Sequence, residues 1–280
     1  MFSGAHPSWS APYPLTITDS RGVAVTFKSA PKRLVSLTPG ATEMLFAVGA
    51  GPRVVGDTTW CNYPPAARNV PKIGDLTPNY ERIVAAHPDL VIVDNVAITT
   101  APARLKALHI PFFVIHPDTF QHVEDTLVTL GKVTGNAAAG LKAKRTMEAK
   151  KRQAEAISAS YRSSAPRVLT IVGVNPLWAA GRSTFMDDVI RMAGATNTAG
   201  SANGYASISK ELVISRPPDV ILASRRDQAA LKRDAALGRL SAVRSGRVAD
   251  IGDDILVRPG PRLADGLVAV AQTLQRFLAH

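Results

Sequence analysis

ERIVAAHPDLVIV, residues 81–93, is written a second time as ELVISRPPDVILA, residues 211–223. Each copy opens on Glu, runs through apolar residues, places Pro seven positions after the Glu and Asp next, and closes in an apolar run of strand length. The beginnings of the two halves match as well. Arg33 opens a run that leads to EMLFAVGA ending at Ala50, and Arg167 opens one that leads to DVIRMAGA ending at Ala195. Two matches in the same order at similar offsets mark a duplicated supersecondary unit.

Outward from the repeat, strand-length apolar runs alternate with helical patterns. RLVSL (33–37), RVVG (53–56), DLVIV (89–93) and FFVI (112–115) read as strands in the first half, and RVLTIV (167–172), DVILA (219–223) and RVADI (247–251) in the second. Helices are expected at 41–49, 79–87, 119–135, 185–194, 210–216 and through the final segment from Pro261. Continuous apolar strands alternating with helices predict parallel sheets covered on both faces, with right-handed crossovers. The fold class expected is α/β: two Rossmann-like lobes, residues 14–135 and 163–280, joined by one long rigid α-helix, with a ligand cleft between the lobes. That helix is read in NAAAGLKAKRTMEAKKRQAEAISASY, within 136–162, with Asn136 at its N-cap and Ala143, Met147, Ala154, Ile157 and Tyr161 on one face. Its 26 or so residues would span about 39 Å.

With 46% apolar and 20% charged residues, the 280-residue composition is that of an ordinary globular chain. The formal charge of +11 raises the question of nucleic acid. The basic residues are scattered, however, and their densest cluster, KAKRTMEAKKR (142–152), reads as a solvated helix face, so no nucleic-acid partner is expected. A single cysteine excludes an internal disulfide. The start, MFSGAHPSWSAPYP, lacks a basic residue followed by an apolar stretch, which leaves the compartment open.

TTWCNYPP, residues 58–65, sets two large aromatics and the only cysteine in a loop, where Gly, Ser, Asn and Asp are usual. In open parallel α/β sheets ligands bind beyond the carboxyl ends of the strands. Trp60 and Tyr63 follow the strand 53–56, and Trp178 follows 167–172 in GVNPLWAAGR. Tyr205 precedes the helix near Lys210, and Asp253, Asp254 and Arg258 follow 247–251 in DDILVRPGPR. Taken singly, each has a bland reading: Trp60 as a loop plug, Trp178 as turn packing, Asp254 as a cap, Arg258 as its ion-pair partner. As a set they describe two rims facing a broad, flat ligand. A ring covering roughly 100 Å² of apolar surface contributes about 2.5 kcal/mol. Three such rings fall short of the roughly 12 kcal/mol of nanomolar binding, so polar groups must add to them.

RLVSLTPGATEMLFAVGAGPRVVGDTTWCNYPPAARNVPKIGD (33–75) followed by NYERIVAAHPDLVIV (79–93) resembles the N-terminal lobe of periplasmic substrate-binding proteins with a rigid helical backbone, which serve ATP-binding-cassette importers of cobalamin, haem and ferric siderophores. The likeness runs from about residue 14 to 280 and is strongest to the cobalamin branch, on TTWCNYPP, GVNPLWAAG and RPGPR. It implies corrinoid contacts from Trp60, Trp178, Tyr205, Asp254 and Arg258, with Tyr63 beside them. It also implies docking of Glu81 and Glu211, one per lobe, onto a two-fold permease dimer that works with an ATPase. Both glutamates also have the plainer role of a first-turn acid favoured by the helix dipole. Gly74, Asp75 and Leu76 stand where the family often has a further Trp. The implied protein is a monomer, exported to the periplasm or cell surface, that turns nothing over. It needs no cofactor; cobalamin is its transported ligand, with haem or a ferric siderophore as alternatives.

Other chemistry leaves little trace. His87, His109, His116 and His122 lack the paired spacing of a zinc site, so no metal site is expected, with His116 the strongest single candidate. Tyr63, Tyr205, His116 and Cys61 are the residues that could serve haem as an axial ligand. No nucleophile elbow, phosphate loop or Rossmann glycine pattern is present, although similar folds do carry redox cofactors.

Overall fold

The computed structural model describes residues 13–75, 77–94, 100–250, 252, 254–255 and 258–278. The chain separates into two compact units, residues 1–117 with 121–146, and 118–120 with 147–280.

The first unit begins with an antiparallel hairpin, β1 (Leu15–Thr18) and β2 (Ala24–Phe27). Then follow β3 (Leu34–Ser36), α1 (Pro39–Ala47), β4 (Val54–Gly56), α2 (Tyr80–Ala85), β5 (Leu90–Val93), α3 (Ala101–Ala107), β6 (Phe112–Val114) and α4 (Phe120–Val133). The sheet runs β4–β3–β5–β6, and every pairing in it is parallel. β5 is buried along its whole length, as a central parallel strand covered on both faces must be.

α5 (Ala137–Ser158) carries the chain onward; its residues up to Thr146 belong to the first unit and those from Met147 to the second. Asn136 holds the N-cap position, its carbonyl accepting from the N–H groups of Ala139 (2.9 Å) and Gly140 (3.1 Å). Its side-chain amide donates to the Val48 carbonyl at 2.9 Å, tying the helix start to the end of α1. The buried stripe Gly140, Met147, Ala154 repeats every seven residues and ends on buried Tyr161, whose hydroxyl donates to Ala193 O at 2.7 Å. Of the face expected from the sequence, Met147, Ala154 and Tyr161 are buried, and Ala143 and Ile157 are half-buried.

The second unit contains β7 (Arg167–Gly173), β8 (Trp178–Ala180), α6 (Phe185–Met192), β9 (Thr196–Asn197), β10 (Tyr205–Ser207), α7 (Lys210–Ser215), β11 (Val220–Ala223), α8 (Arg225–Arg233), α9 (Ser241–Arg244), β12 (Val248–Ala249) and α10 (Leu263–Leu278). Its parallel part runs β9–β7–β11–β12, the same order as β4–β3–β5–β6. The duplication extends to individual bonds. Thr38 caps α1 through Ala41 N, and Thr184 caps α6 through Asp187 N. Gly49 and Gly194 end those helices at φ +75° and +78°, in the left-handed region that only glycine enters cheaply. The following residues, Ala50 and Ala195, donate back to Leu45 O (2.8 Å) and Ile190 O (3.1 Å). Asp89 receives the N–H groups of Lys32 and Arg33, and Asp219 receives that of Arg167.

One expectation needs correction: the second sheet is not wholly parallel. β8 runs antiparallel to β7, and β10 antiparallel to β8. Residues 174–184, which have no counterpart between β3 and α1, fold back on β7 and open room for this ribbon.

Candidate functional site

Trp60 sits on the loop that leaves β4. Asp57, Thr58 and Cys61 are buried, whereas Thr59, Trp60 and Tyr63 are exposed, so the loop alternates between interior and solvent. Its interior side is polar. The Cys61 thiol lies 3.2 Å from the hydroxyls of both Thr42 and Thr58. Burial, and next to it the nearby Asp57 charge, push the thiol pKa up despite those bonds, so it stays protonated and unreactive. The Lys72 ammonium donates to Asp57 Oδ1 (2.7 Å), Ala67 O (2.8 Å) and Cys61 O (3.2 Å). Asp57 Oδ2 is buried with no donor among the described residues. That desolvation outweighs Lys72 and pushes the carboxyl up to about 6.

In the second unit, Trp178 opens β8 and Tyr205 opens β10; neither lies in a loop, as the sequence alone suggested. The register pairs Trp178 with Ser207 and Tyr205 with Ala180, which puts both rings on one face of the ribbon as diagonal neighbours. Ala179, on the opposite face, is in the core. Phe185 backs the Tyr205 ring, with centroids 6.0 Å apart at 58°. Desolvation of the hydroxyl first, and the Asp118 charge second, raise the Tyr205 pKa and keep the phenol a neutral donor, although about two-fifths of the residue stays exposed.

The fractional exposures are 56% for Trp60, 43% for Tyr63, 40% for Trp178 and 39% for Tyr205. Among the described residues these four are the aromatic side chains left exposed, two in each unit. They are the four aromatics that the sequence singled out. Asp254 and Arg258 pair with each other at 2.8 Å, with Arg262 3.7 Å from the second oxygen of Asp254. Asp253 lies outside the described residues.

Glu81 and Glu211 stand in the first turns of α2 and α7, helices capped alike by Asn79 and Ser209. One turn on, each helix exposes an aliphatic side chain, Val84 at 43% and Ile214 at 49%. The duplication thus repeats an acidic group and an apolar step on matching helices. Sequence reasoning overlooked this apolar partner, although the repeat itself displays it. It also overlooked Lys72 and Asp57, a lone pair without a spacing signature.

A pocket of about 420 Å³ lies in the first unit. His116, at the end of β6, and His122, Asp125 and Thr129, from one face of α4, line it together with Ser20. Among the described residues no group of three His, Cys, Asp or Glu is placed to hold a metal ion. No described helix is long and apolar enough to cross a membrane.

Residues 34–255 match the sequence profile of the periplasmic binding protein family. A cobalamin-binding protein of Halobacterium salinarum is 30% identical over 92% of this chain and 73% of its own length. The periplasmic vitamin B12 binding protein of Vibrio cholerae superposes with a TM-score of 0.78 at 25% identity, over 89% of this chain and 99% of that one. A periplasmic heme-binding protein from Roseiflexus, in apo form, gives 0.80 at 26% identity over 89% and 99%.

Proposed function

The chain belongs to the periplasmic binding protein family, and from that premise we propose that it captures cobalamin or a related corrinoid outside the cytoplasm and hands it to an ATP-binding-cassette importer. It is a binding protein, not an enzyme. The observation that carries the reading is the exposure of Trp60, Tyr63, Trp178 and Tyr205, two rings from each unit. Exposed rings lose burial in the free protein and regain it only against a partner. Four rings, each covering roughly 100 Å² of ligand, contribute about 10 kcal/mol before association costs of at least about 4. A corrin ring offers that much flat surface. The Tyr205 phenol and the Asp254–Arg258 pair supply polar contacts at its edge. The cobalamin and vitamin B12 binders among the similar proteins support the same choice.

The delivery partners are a permease dimer and its ATPase. Glu81 with Val84, and Glu211 with Ile214, are the proposed docking points: equivalent charges on equivalent helices suit a two-fold partner.

Haem is the second reading, favoured by two exposed phenols, Tyr63 and Tyr205, that could ligate iron. Calorimetric titration of the purified chain with cyanocobalamin, haemin and a ferric hydroxamate siderophore decides. Binding of cyanocobalamin with a Kd below about 1 μM, and more weakly of the others, is expected. Tighter binding of haemin or the siderophore would displace the corrinoid reading.

A further inference from the structure

The loop between β4 and α2 has its fastening on the inside. The chain leaves the sheet at Asp57 and comes back beside it at Lys72: Asp57 N–H donates to Pro71 O (3.1 Å), and Ile73 N–H donates to Asp57 O (2.8 Å). Residues 58–71 form the excursion between these points, and Trp60 and Tyr63 are carried on it. The Lys72 ammonium reaches into the excursion and holds its root at Asp57, its outgoing limb at Cys61 O and its return at Ala67 O. A lysine ammonium has three protons, and in this loop each has an acceptor. The Cys61 thiol, set between two threonine hydroxyls, adds a fourth point of attachment at the residue next to Trp60.

We infer that Lys72 is a positioning residue for ligand binding: by gripping the excursion at three points it fixes the direction in which Trp60 and Tyr63 meet the ligand. The inference rests on the reading that these two rings hold the ligand. It differs from a purely structural role in its response to acid. The groups facing the Asp57 carboxyl are the Lys72 ammonium and the Cys61 thiol. As pH falls through about 6, Asp57 takes up a proton, and Lys72 loses its anionic anchor. Because the folded pKa of Asp57 is raised, its contribution to stability is fully present at low pH and is lost as pH rises through about 6. Acid therefore loosens the grip on the loop while this same protonation favours the folded chain. Affinity and stability should move in opposite directions.

The test uses the full chain, with Trp9→Phe and Trp178→Phe introduced for the fluorescence arm alone so that Trp60 is the sole indole. Lys72→Met is expected to weaken cyanocobalamin binding by about tenfold or more and to raise acrylamide quenching of ligand-free Trp60, while thermal unfolding stays cooperative. Unchanged affinity and unchanged quenching would overturn the inference. If Lys72→Met does not fold, Asp57→Asn decides. Wild-type affinity should fall below a pH of about 6, that step should vanish in the variant, and wild type should gain stability relative to it as pH drops. An identical pH profile in both proteins would overturn the inference. If wild type binds neither cyanocobalamin nor haemin, the parent reading fails, and quenching of ligand-free Trp60 alone judges the loop.

Discussion

In the stretch Trp60–Cys61–Asn62–Tyr63 the backbone turns successive side chains in different directions, so the burial of one residue sets the exposure of its neighbours. Cys61 goes inward to Thr42 and Thr58, and Trp60 is left outside. The rings were legible in the sequence because a large aromatic in a loop contradicts ordinary loop composition. Asp57 and Lys72 were not, since two charged residues separated by a loop look like any solvated pair. Glu81 and Glu211 were visible through the repeat; Val84 and Ile214 needed coordinates to be seen as exposed rather than core. At this scale the docking proposal predicts that Glu81→Ala combined with Glu211→Ala abolishes uptake through a reconstituted importer while calorimetric affinity for the ligand stays at the wild-type value. Lost affinity would put these residues in the ligand site instead. Unaltered uptake would remove them from docking.

Among the elements, the helices that follow a capping residue and stop at glycine were legible to within about two residues, as with α1 and α6 between Thr38 and Gly49 and between Thr184 and Gly194, whereas α3, α8 and α9 were not read from the sequence at all. The antiparallel strands were not legible either. WAA and YAS are three residues each, too short for alternation to register, and their pairing depends on contacts distant in sequence. The hairpin of β1 and β2 was missed for the same reason, although LTIT does alternate in burial. The junction of α4 and α5 gives a sharper result. A Cβ on Gly140 would lie 2.6 Å from Leu127 O and 3.1 Å from the Gly131 Cα, so the two helices touch through glycine. In an exposed helix, Gly→Ala would stabilise by up to about 1 kcal/mol. At this crossing the clash should reverse the sign and cost about 1–3 kcal/mol. Gly140→Ala is expected to lower the urea midpoint at unchanged slope. A raised midpoint would mean that the helices separate without cost.

For the whole molecule, the duplication is the governing feature. The matching strand orders, helix caps and Asp89/Asp219 bonds show that one α/β plan has been used twice. The sequence disclosed that plan in two short stretches, because Glu, Pro and Asp each hold a position with its own physical demand: a helix start, a helix end, and a carboxylate bonded to the neighbouring strand. It did not disclose the ribbon inserted into the second copy, and that ribbon is what carries Trp178 and Tyr205. The proposed corrinoid function predicts that rings from both copies are needed for binding. Calorimetric titration of cyanocobalamin into the wild-type chain, Trp60→Ala and Tyr205→Ala, one substitution in each unit, decides the matter. One ligand per chain is expected, with a loss of about tenfold or more in that single affinity from either substitution. Two independent binding events, or an affinity indifferent to one of the substitutions, would refute a shared site.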